Sequence, residues 1–425
     1  MPSTPKPSAT SHRTINDDAP SVALSEATEV LLWFGALMLR AGNTATRTRE
    51  WIEVITRKMG FEDVSVSFSL DSIAASVRCG GERITTIREI GPPGINAWRI
   101  AELEQLARTV GPGPAPRDVA ARLAIIESTA SRYSSVTIAA AVGAASAGFA
   151  FLNGAATPEM IAAAMGGAIG QWSRLWMSHR QLNQYGAAAL SAIAASGIYV
   201  LAAALARYAG FGFVHYPAGF IASVLFLIPG FPLIAGLFDL LQYQTVAAVS
   251  RLAYGVMILL VVAFGLSIVV ELAGIDLSRQ PTLELVYPLK LLLRAVASFV
   301  AGGAFAMLFN SPPRTILAAG ALALGANSLR LVLNDMGMML APASFFAALA
   351  IGLVAVLVDT RFNVPRMAMI VAPTVIMMPG LYAFEMIVMF NRGKMLDALQ
   401  ASASCAFIVG ALAMGLAAAR FFSNR

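Results

Sequence analysis

Long uncharged runs of apolar residues fill the chain from Tyr133 onward and decide what it can fold into. Four of them cover residues 133–158, 181–206, 252–270 and 336–358. A run of roughly 18 or more apolar residues is long enough to cross a bilayer as one helix. Only 13% of the 425 residues are charged, against about 25% in a typical soluble protein. The sequence therefore predicts a polytopic α-helical membrane protein embedded in a lipid bilayer.

Two further apolar segments are each interrupted by a Pro-Gly pair, Pro229-Gly230 and Pro379-Gly380. A proline within a helix removes one N–H donor and clashes with the carbonyl group four residues earlier, so we expect each proline to free that carbonyl group. In hydrocarbon such a group is tolerated only where it faces protein or a water-filled cavity. Interrupted helices at matching positions of two halves are typical of transporter binding sites. We therefore expect the substrate to bind between the two pairs.

Ten membrane helices are expected, in two groups of five. The first group covers about 134–152, 158–177, 184–206, 217–245 and 248–272, and the second about 284–308, 314–333, 342–358, 366–390 and 397–419. The Pro-Gly pair interrupts the fourth helix of each group. Because five is an odd number, the second repeat (284–420) must be inverted relative to the first (133–273).

The residues before the first membrane helix predict a short tail and a small soluble domain. Residues 1–24 are rich in Pro, Ser and Thr and lack an apolar core, so we expect a disordered tail. Within 25–132, apolar residues recur with helical spacing after Ser25, alternate with polar residues from Val64, and return to helical spacing after residue 95. Gly80-Gly81 is typical of a hairpin turn. We therefore expect a small α/β domain over 25–132.

Charge distribution predicts the orientation of the chain. An even number of spans puts both termini on one side, and the loops on that side then carry a modest excess of arginine, as cytoplasmic loops do. We therefore expect the N-terminal domain and the C-terminus to be cytoplasmic. The same excess explains the net charge of +6, so no nucleic-acid partner is needed.

Several motifs resemble those of the threonine/serine exporter family of bacteria and fungi, over about residues 25–420. They are Arg40-Ala41-Gly42-Asn43-Thr44, Val64-Ser65-Val66 with Ile73 and Ser76, Thr85-Thr86-Ile87-Arg88, and the two Pro-Gly helices. The resemblance implies a cytoplasmic domain fused to ten membrane helices that export L-threonine and L-serine across the cell inner membrane, with proton antiport. Relatives split into two chains look like exporters of C4-dicarboxylates such as succinate, so export of a dicarboxylate remains an alternative. A homo-oligomer is a further open alternative.

Two cations lie in the sixth predicted membrane helix. Lys290 and Arg294 stand one turn apart on one face. They could bind a substrate carboxylate, because charges within a membrane are costly and are often functional. They could also extend to the outer headgroups. We favour substrate binding for the deeper Arg294, and both alternatives stay open for Lys290.

Two carboxylates follow the Pro-Gly pairs. Asp239 and Glu385 could bind a proton or the ammonium group of a substrate, or could pair with a nearby cation. We favour proton binding for Glu385, and both alternatives stay open for Asp239.

Gln171 and Asn327 occupy matching places in the two halves. They could hydrogen-bond the substrate or join helices as polar contacts.

Other function classes find little support in the sequence. No Gly-x-x-x-x-Gly-Lys-Ser/Thr phosphate loop occurs, which disfavours direct use of ATP. The predicted soluble domain contains Cys79 but no histidine, so a Cys–His catalytic pair within it is excluded. Cys79 and Cys405 indicate neither a disulfide framework nor a metal site. We expect no enzyme activity and no cofactor, and a membrane-bound enzyme and a passive channel are the less favoured alternatives to a transporter.

Overall fold

The computed structural model describes residues 18–69, 71–91, 94–210, 217–274, 285–362 and 366–423. Most of the predicted tail, residues 1–17, lies outside these ranges. The N-terminal domain contains helices α1 (Asp18–Arg40), α2 (Ala45–Lys58), α3 (Ala97–Thr109) and α4 (Pro116–Ser128), and strands β1 (Asp63–Phe68), β2 (Ser72–Cys79) and β3 (Glu82–Glu89). The strands form one antiparallel sheet in the order β1-β2-β3.

Local sequence explains the ends of these elements. Helix α1 begins at Asp18, seven residues before the expected start at Ser25, so residues 18–24 belong to a helix instead of the expected tail. Gly80 and Gly81 have φ angles of 59° and 87°, as the predicted two-residue hairpin turn requires.

A single apolar core holds the N-terminal domain together. Leu31 and Phe34 of α1, Ile52 of α2, Ile73 of β2 and Leu103 of α3 are all fully buried. They belong to one cluster that joins the helices to one face of the sheet. Helices and a small three-stranded sheet therefore pack around one core, while the predicted domain bounds of 25–132 stay a prediction.

The remaining helices lie at the ten predicted positions. They are α5 (Ser135–Leu152), α6 (Thr157–His179), α7 (Gln184–Tyr208), α8 (Pro217–Ala222), a 3-10 turn (Leu225–Leu227), α9 (Gly230–Leu241), α10 (Thr245–Ala273), α11 (Tyr287–Leu308), α12 (Pro313–Asp335), α13 (Leu340–Phe362), α14 (Arg366–Val375), α15 (Gly380–Asn391) and α16 (Met395–Ser423). In the described residues, seven helices are long and apolar enough to cross a membrane, or eight if α14 and α15, bent by 46°, count as one. The protein is therefore a multi-pass membrane protein, while the ten-span arrangement stays a prediction.

The two groups of helices pack in the same way. In the first group α5 contacts α6, α6 contacts α7, and α10 contacts both α7 and α9. In the second, α11 contacts α12, α12 contacts α13, and α16 contacts both α13 and α15. Contacts between the groups are reciprocal, because α9 of the first group contacts α16 of the second, and α15 of the second group contacts α10 of the first. Such exchanged contacts are what a two-fold relation between the halves requires.

The N-terminal domain packs on one end of the helical bundle. The N–H of Ala97 donates to the carbonyl of Phe309 at 2.8 Å, and Asn310 Nδ2 donates to Asn96 Oδ1 at 3.1 Å. Arg420 near the end of α16 lies 3.6 Å from Glu50. The domain therefore marks one end of the bundle, called here the inner end.

Candidate functional site

The two Pro-Gly pairs fold into the same local structure. Pro229 has φ and ψ angles of −78° and 53°, and Pro379 has −80° and 55°. Each proline caps the following helix, and its carbonyl accepts a hydrogen bond from the residue four positions later, at 3.2 Å in α9 and 3.0 Å in α15. A proline needs no N–H at this position. Both halves therefore contain the same Pro-Gly helix start.

The sequence predicted that the carbonyl group four residues before each proline is free, and this prediction is wrong. The carbonyl of Leu225 accepts the N–H of Ile228, and the carbonyl of Val375 accepts the N–H of Met378, both at 3.1 Å. In both halves the backbone tightens into a 3-10-type turn before the proline. Such turns are a usual way to satisfy carbonyl groups at a helix end.

The two breaks touch each other at the interface between the halves. A Cβ atom added to Gly230 would lie 3.2 Å from side-chain atoms of Val375 and Met378. A Cβ atom added to Gly380 would lie 2.5 Å from side-chain atoms of Leu225 and Ile228. The contacts are reciprocal, because 225 and 228 stand where 375 and 378 stand in the other half. These four side chains are called here the apolar barrier.

A cavity lies on each side of the apolar barrier. The inner cavity, of about 310 Å³, is lined by Gln171, Arg174, the first break and residues of the N-terminal domain such as Gly42. The outer cavity, of about 170 Å³, is lined by Asn327, Arg330 and the second break. The two breaks therefore separate two chambers.

Matching polar groups stand in the two cavities. Each has an amide three residues before an arginine, Gln171 with Arg174 and Asn327 with Arg330. Gln171 is 2% and Asn327 1% exposed. Within the described part of the chain, Gln171 Oε1 and Asn327 Oδ1 have no hydrogen-bond partner, although Asn327 Nδ2 donates to Ser298 Oγ at 2.8 Å.

The two arginines are the residues that sequence reasoning missed. Arg330 Nη1 donates to the carbonyl of Met377 at 2.7 Å, so its guanidinium is held against the second break. Arg174 has no ion-pair partner among the residues that the structure describes. The signal was present in the sequence, because both arginines follow the matched amides by three residues.

A third cavity opens beside the inner one. This vestibule, of about 810 Å³, lies between the N-terminal domain and the first turns of α7 and α10. Leu39, Arg251 and Tyr254 line both the vestibule and the inner cavity. The inner cavity therefore has a side approach beneath the domain.

Asp239 joins the N-terminal domain to the bundle instead of lining a cavity. Its Oδ2 lies 3.3 Å from Arg251 Nε, with side chains 0% and 14% exposed. Its Oδ1 accepts the N–H of Ala45 at 3.0 Å, and Arg251 Nη2 donates to the carbonyl of Asn43. The ion pair of Asp239 with Arg251 joins α9 to α10 within the bundle, and its two hydrogen bonds to the N-terminal domain hold the end of the Arg40–Thr44 motif.

The other predicted residues lie apart from both cavities. Arg294 pairs with Asp335 of α12, and Lys290 stands one turn earlier in α11. Glu385 is half-buried in α15, three residues after Tyr382, which lines the outer cavity. Their roles as substrate or proton ligands stay predictions. In the described ranges, no group of three or more His, Cys, Asp or Glu could hold a metal ion.

Comparisons with known proteins bear on the class of this protein. Two family models match, one of a threonine/serine exporter over residues 29–273 and a second of the same description over 294–422. A curated relative from Haemophilus influenzae, described as an uncharacterized protein, is 27% identical over 140 residues, which is 31% of this chain and 47% of the relative. The match thus spans about half of that relative's length. No solved structure matches the chain.

Proposed function

Because two family models together match most of the chain, the chain belongs to the threonine/serine exporter family, as its motifs indicated, and we propose that it exports L-threonine and L-serine between the two Pro-Gly breaks. One observation carries this proposal: the breaks meet in reciprocal contact, with a cavity on each side. A transporter needs a site that two opposed halves can expose in turn.

We propose that the chain crosses the membrane ten times as two inverted five-helix repeats. The matching packing of the two groups and the equal backbone angles at Pro229 and Pro379 support this arrangement. The N-terminal domain contacts the end of α9, the junction of α11 with α12, and the end of α16. In a ten-span chain all three lie on the side of the N-terminus. We place that side in the cytoplasm and the bundle in the cell inner membrane.

Alternating access follows from the position of the apolar barrier. In the state described, the side chains of Leu225, Ile228, Val375 and Met378 separate the two cavities. Export requires these side chains to part, and packed interfaces of this kind switch between discrete arrangements. Substrate then moves from the vestibule to the inner cavity and past the breaks to the outer cavity.

The proton gradient is the proposed source of energy, with Glu385 as the proton carrier. Glu385 is a half-buried carboxylate on α15, the helix that begins at the second break. A carboxylate within a membrane span is costly and is often a proton relay. In this position its charge state can change the energy of moving α15 relative to the first half.

Transport by purified protein in liposomes tests the proposed function. Vesicles are loaded with labelled threonine, serine or succinate, and efflux is followed with and without an imposed pH gradient. We expect threonine and serine to leave faster than succinate, and a collapsed gradient to slow them. The control is Pro379→Ala with Gly380→Leu, which removes the second break and is expected to abolish efflux. Preferential efflux of succinate, or equal efflux from protein-free vesicles, would overturn the proposal.

A further inference from the structure

We propose that Arg174 and Arg330 bind the carboxylate of the exported amino acid in succession, the first from the inner cavity and the second from the outer. The inference rests on the proposed export function and adds two binding sites to it. Gln171 and Asn327 complete the sites by accepting hydrogen bonds from the ammonium or hydroxyl group.

The position of the two arginines is the first argument. Each stands on the second helix of its half, α6 or α12, and lines the cavity beside its own break. The hydrogen bond from Arg330 to the carbonyl of Met377 places a cation directly at the second break. One arginine on each side of the apolar barrier gives the substrate carboxylate the same kind of binding partner before and after it crosses the barrier.

Charge is the second argument. Among the described residues that line the two cavities, none is acidic. The charge of the other arginine of the inner cavity, Arg251, is balanced by Asp239, although its Nη1 has no hydrogen-bond partner in the described part of the chain. Among the described residues, each cavity therefore presents one guanidinium without an ion-pair partner, whose planar fork of donors matches a carboxylate.

The unpaired amide oxygens are the third argument, and they bear on the substrate class. A buried acceptor without a partner is unfavourable, so Gln171 Oε1 and Asn327 Oδ1 each favour a ligand that brings a donor. An amino acid supplies a carboxylate for the arginine and an ammonium group for the amide. A dicarboxylate supplies a second anion, which finds no second cation without an ion-pair partner among the described lining residues and leaves the amide oxygen unpaired.

Sided transport assays test the inference. Uptake of labelled threonine is measured in everted vesicles, which expose the cytoplasmic face, and in right-side-out vesicles, which expose the outer face. We expect Arg174→Gln to raise KM about tenfold or more in everted vesicles and to leave KM within about twofold in right-side-out vesicles, since a bidentate ion pair is lost on one face only. Arg330→Gln should show the opposite pattern. Arg314→Gln removes an exposed arginine from the same helix as Arg330, and is the matched control with unchanged KM on both faces.

A second substrate separates binding from folding. Threonine amide keeps the ammonium and hydroxyl groups but lacks the carboxylate, so the wild-type protein should transport it poorly from either face. Arg174→Gln should lose that discrimination on the cytoplasmic face alone, and Arg174→Lys should restore part of it. Equal changes of KM on both faces, or unchanged discrimination in both glutamine variants, would overturn the inference while leaving threonine export intact. Absence of threonine transport by the wild-type protein would instead contradict the proposed function.

Discussion

Asp239→Asn is predicted to loosen the N-terminal domain from the helical bundle. The carboxylate of Asp239 is fully buried, contacts Arg251 at 3.3 Å and accepts the N–H of Ala45, at the start of α2, at 3.0 Å. An asparagine keeps an acceptor of the same shape for that N–H. It removes the charge that balances Arg251, and a buried cation without a counter-ion is strongly unfavourable.

The size of the effect follows from the burial of the pair. Removing one partner of a buried ion pair costs about 3–5 kcal/mol. We expect the lower end, because Arg251 is still 14% exposed and keeps its hydrogen bond to the carbonyl of Asn43. A cost of about 3 kcal/mol corresponds to a factor of about 100 in an equilibrium constant, since 1.4 kcal/mol is tenfold. Because undocking exposes Arg251 to water, this cost falls on the docked state, which should weaken by up to about two orders of magnitude.

Hydrogen exchange of the full-length protein in detergent measures this change. The amides at the start of α2, Ala45 first, should exchange about 100-fold faster in Asp239→Asn, because their exchange requires undocking. Glu62→Gln is the matched control: its pair with Arg78 lies in the same domain, but both side chains are about half exposed, so the pair contributes about 0–1 kcal/mol. Adding Arg251→Gln should recover part of the loss. Unchanged exchange at Ala45 in Asp239→Asn would refute the reasoning.

Three further predictions follow from the same contacts. Gly380→Ala places a methyl group 2.5 Å from two side chains of the other break, so it should lower unfolding stability by about 1–3 kcal/mol and slow efflux. Gly325→Ala, which meets open space, should do neither, and thermal unfolding of both variants decides the point. Arg294→Gln and Asp335→Asn separate the two roles open to Arg294, which pairs with Asp335: the predicted substrate contact should raise KM in Arg294→Gln alone, and equal, small losses of stability with unchanged KM in both variants would contradict it. Glu385→Gln should keep threonine binding but lose the dependence of efflux on the pH gradient, and a variant still driven by the gradient would exclude it as proton carrier.

The sequence was a reliable guide to local structure. Each of the ten predicted membrane positions contains a helix or a broken helix, because the length of an apolar run limits what it can form. The Gly80-Gly81 hairpin and the breaks at Pro229 and Pro379 were also predictable, since glycine and proline act through their own backbone angles. What the sequence did not indicate was how the carbonyl groups before each proline are satisfied.

The site depended on distant contacts that no local pattern contains. Asp239 was a candidate for substrate or proton binding, but its partner at Ala45 lies 194 residues away in the chain. Arg294 was favoured for its depth, yet its partner Asp335 comes from a different helix. The spacing of Arg174 and Arg330 from the matched amides is visible in the sequence, but both lie near helix ends, where an arginine usually extends to the headgroups. The packing around the breaks was therefore needed to show that they face cavities.

The claim that substrate passes between the two breaks is tested most directly by a reversible cross-link across the apolar barrier. Leu225 and Gly380 are replaced by cysteine in a protein whose free cysteines, Cys79 and Cys405, are changed to serine, and threonine efflux from liposomes is measured before oxidation, after it, and after reduction. A Cβ atom at Gly380 would lie 3.7 Å from Leu225 Cγ, so the two cysteine side chains start close together, and a disulfide requires their Cβ atoms to come within about 3.5–4.5 Å. We predict that oxidation stops efflux and that reduction restores it. Unchanged efflux through fully cross-linked protein would contradict the claim.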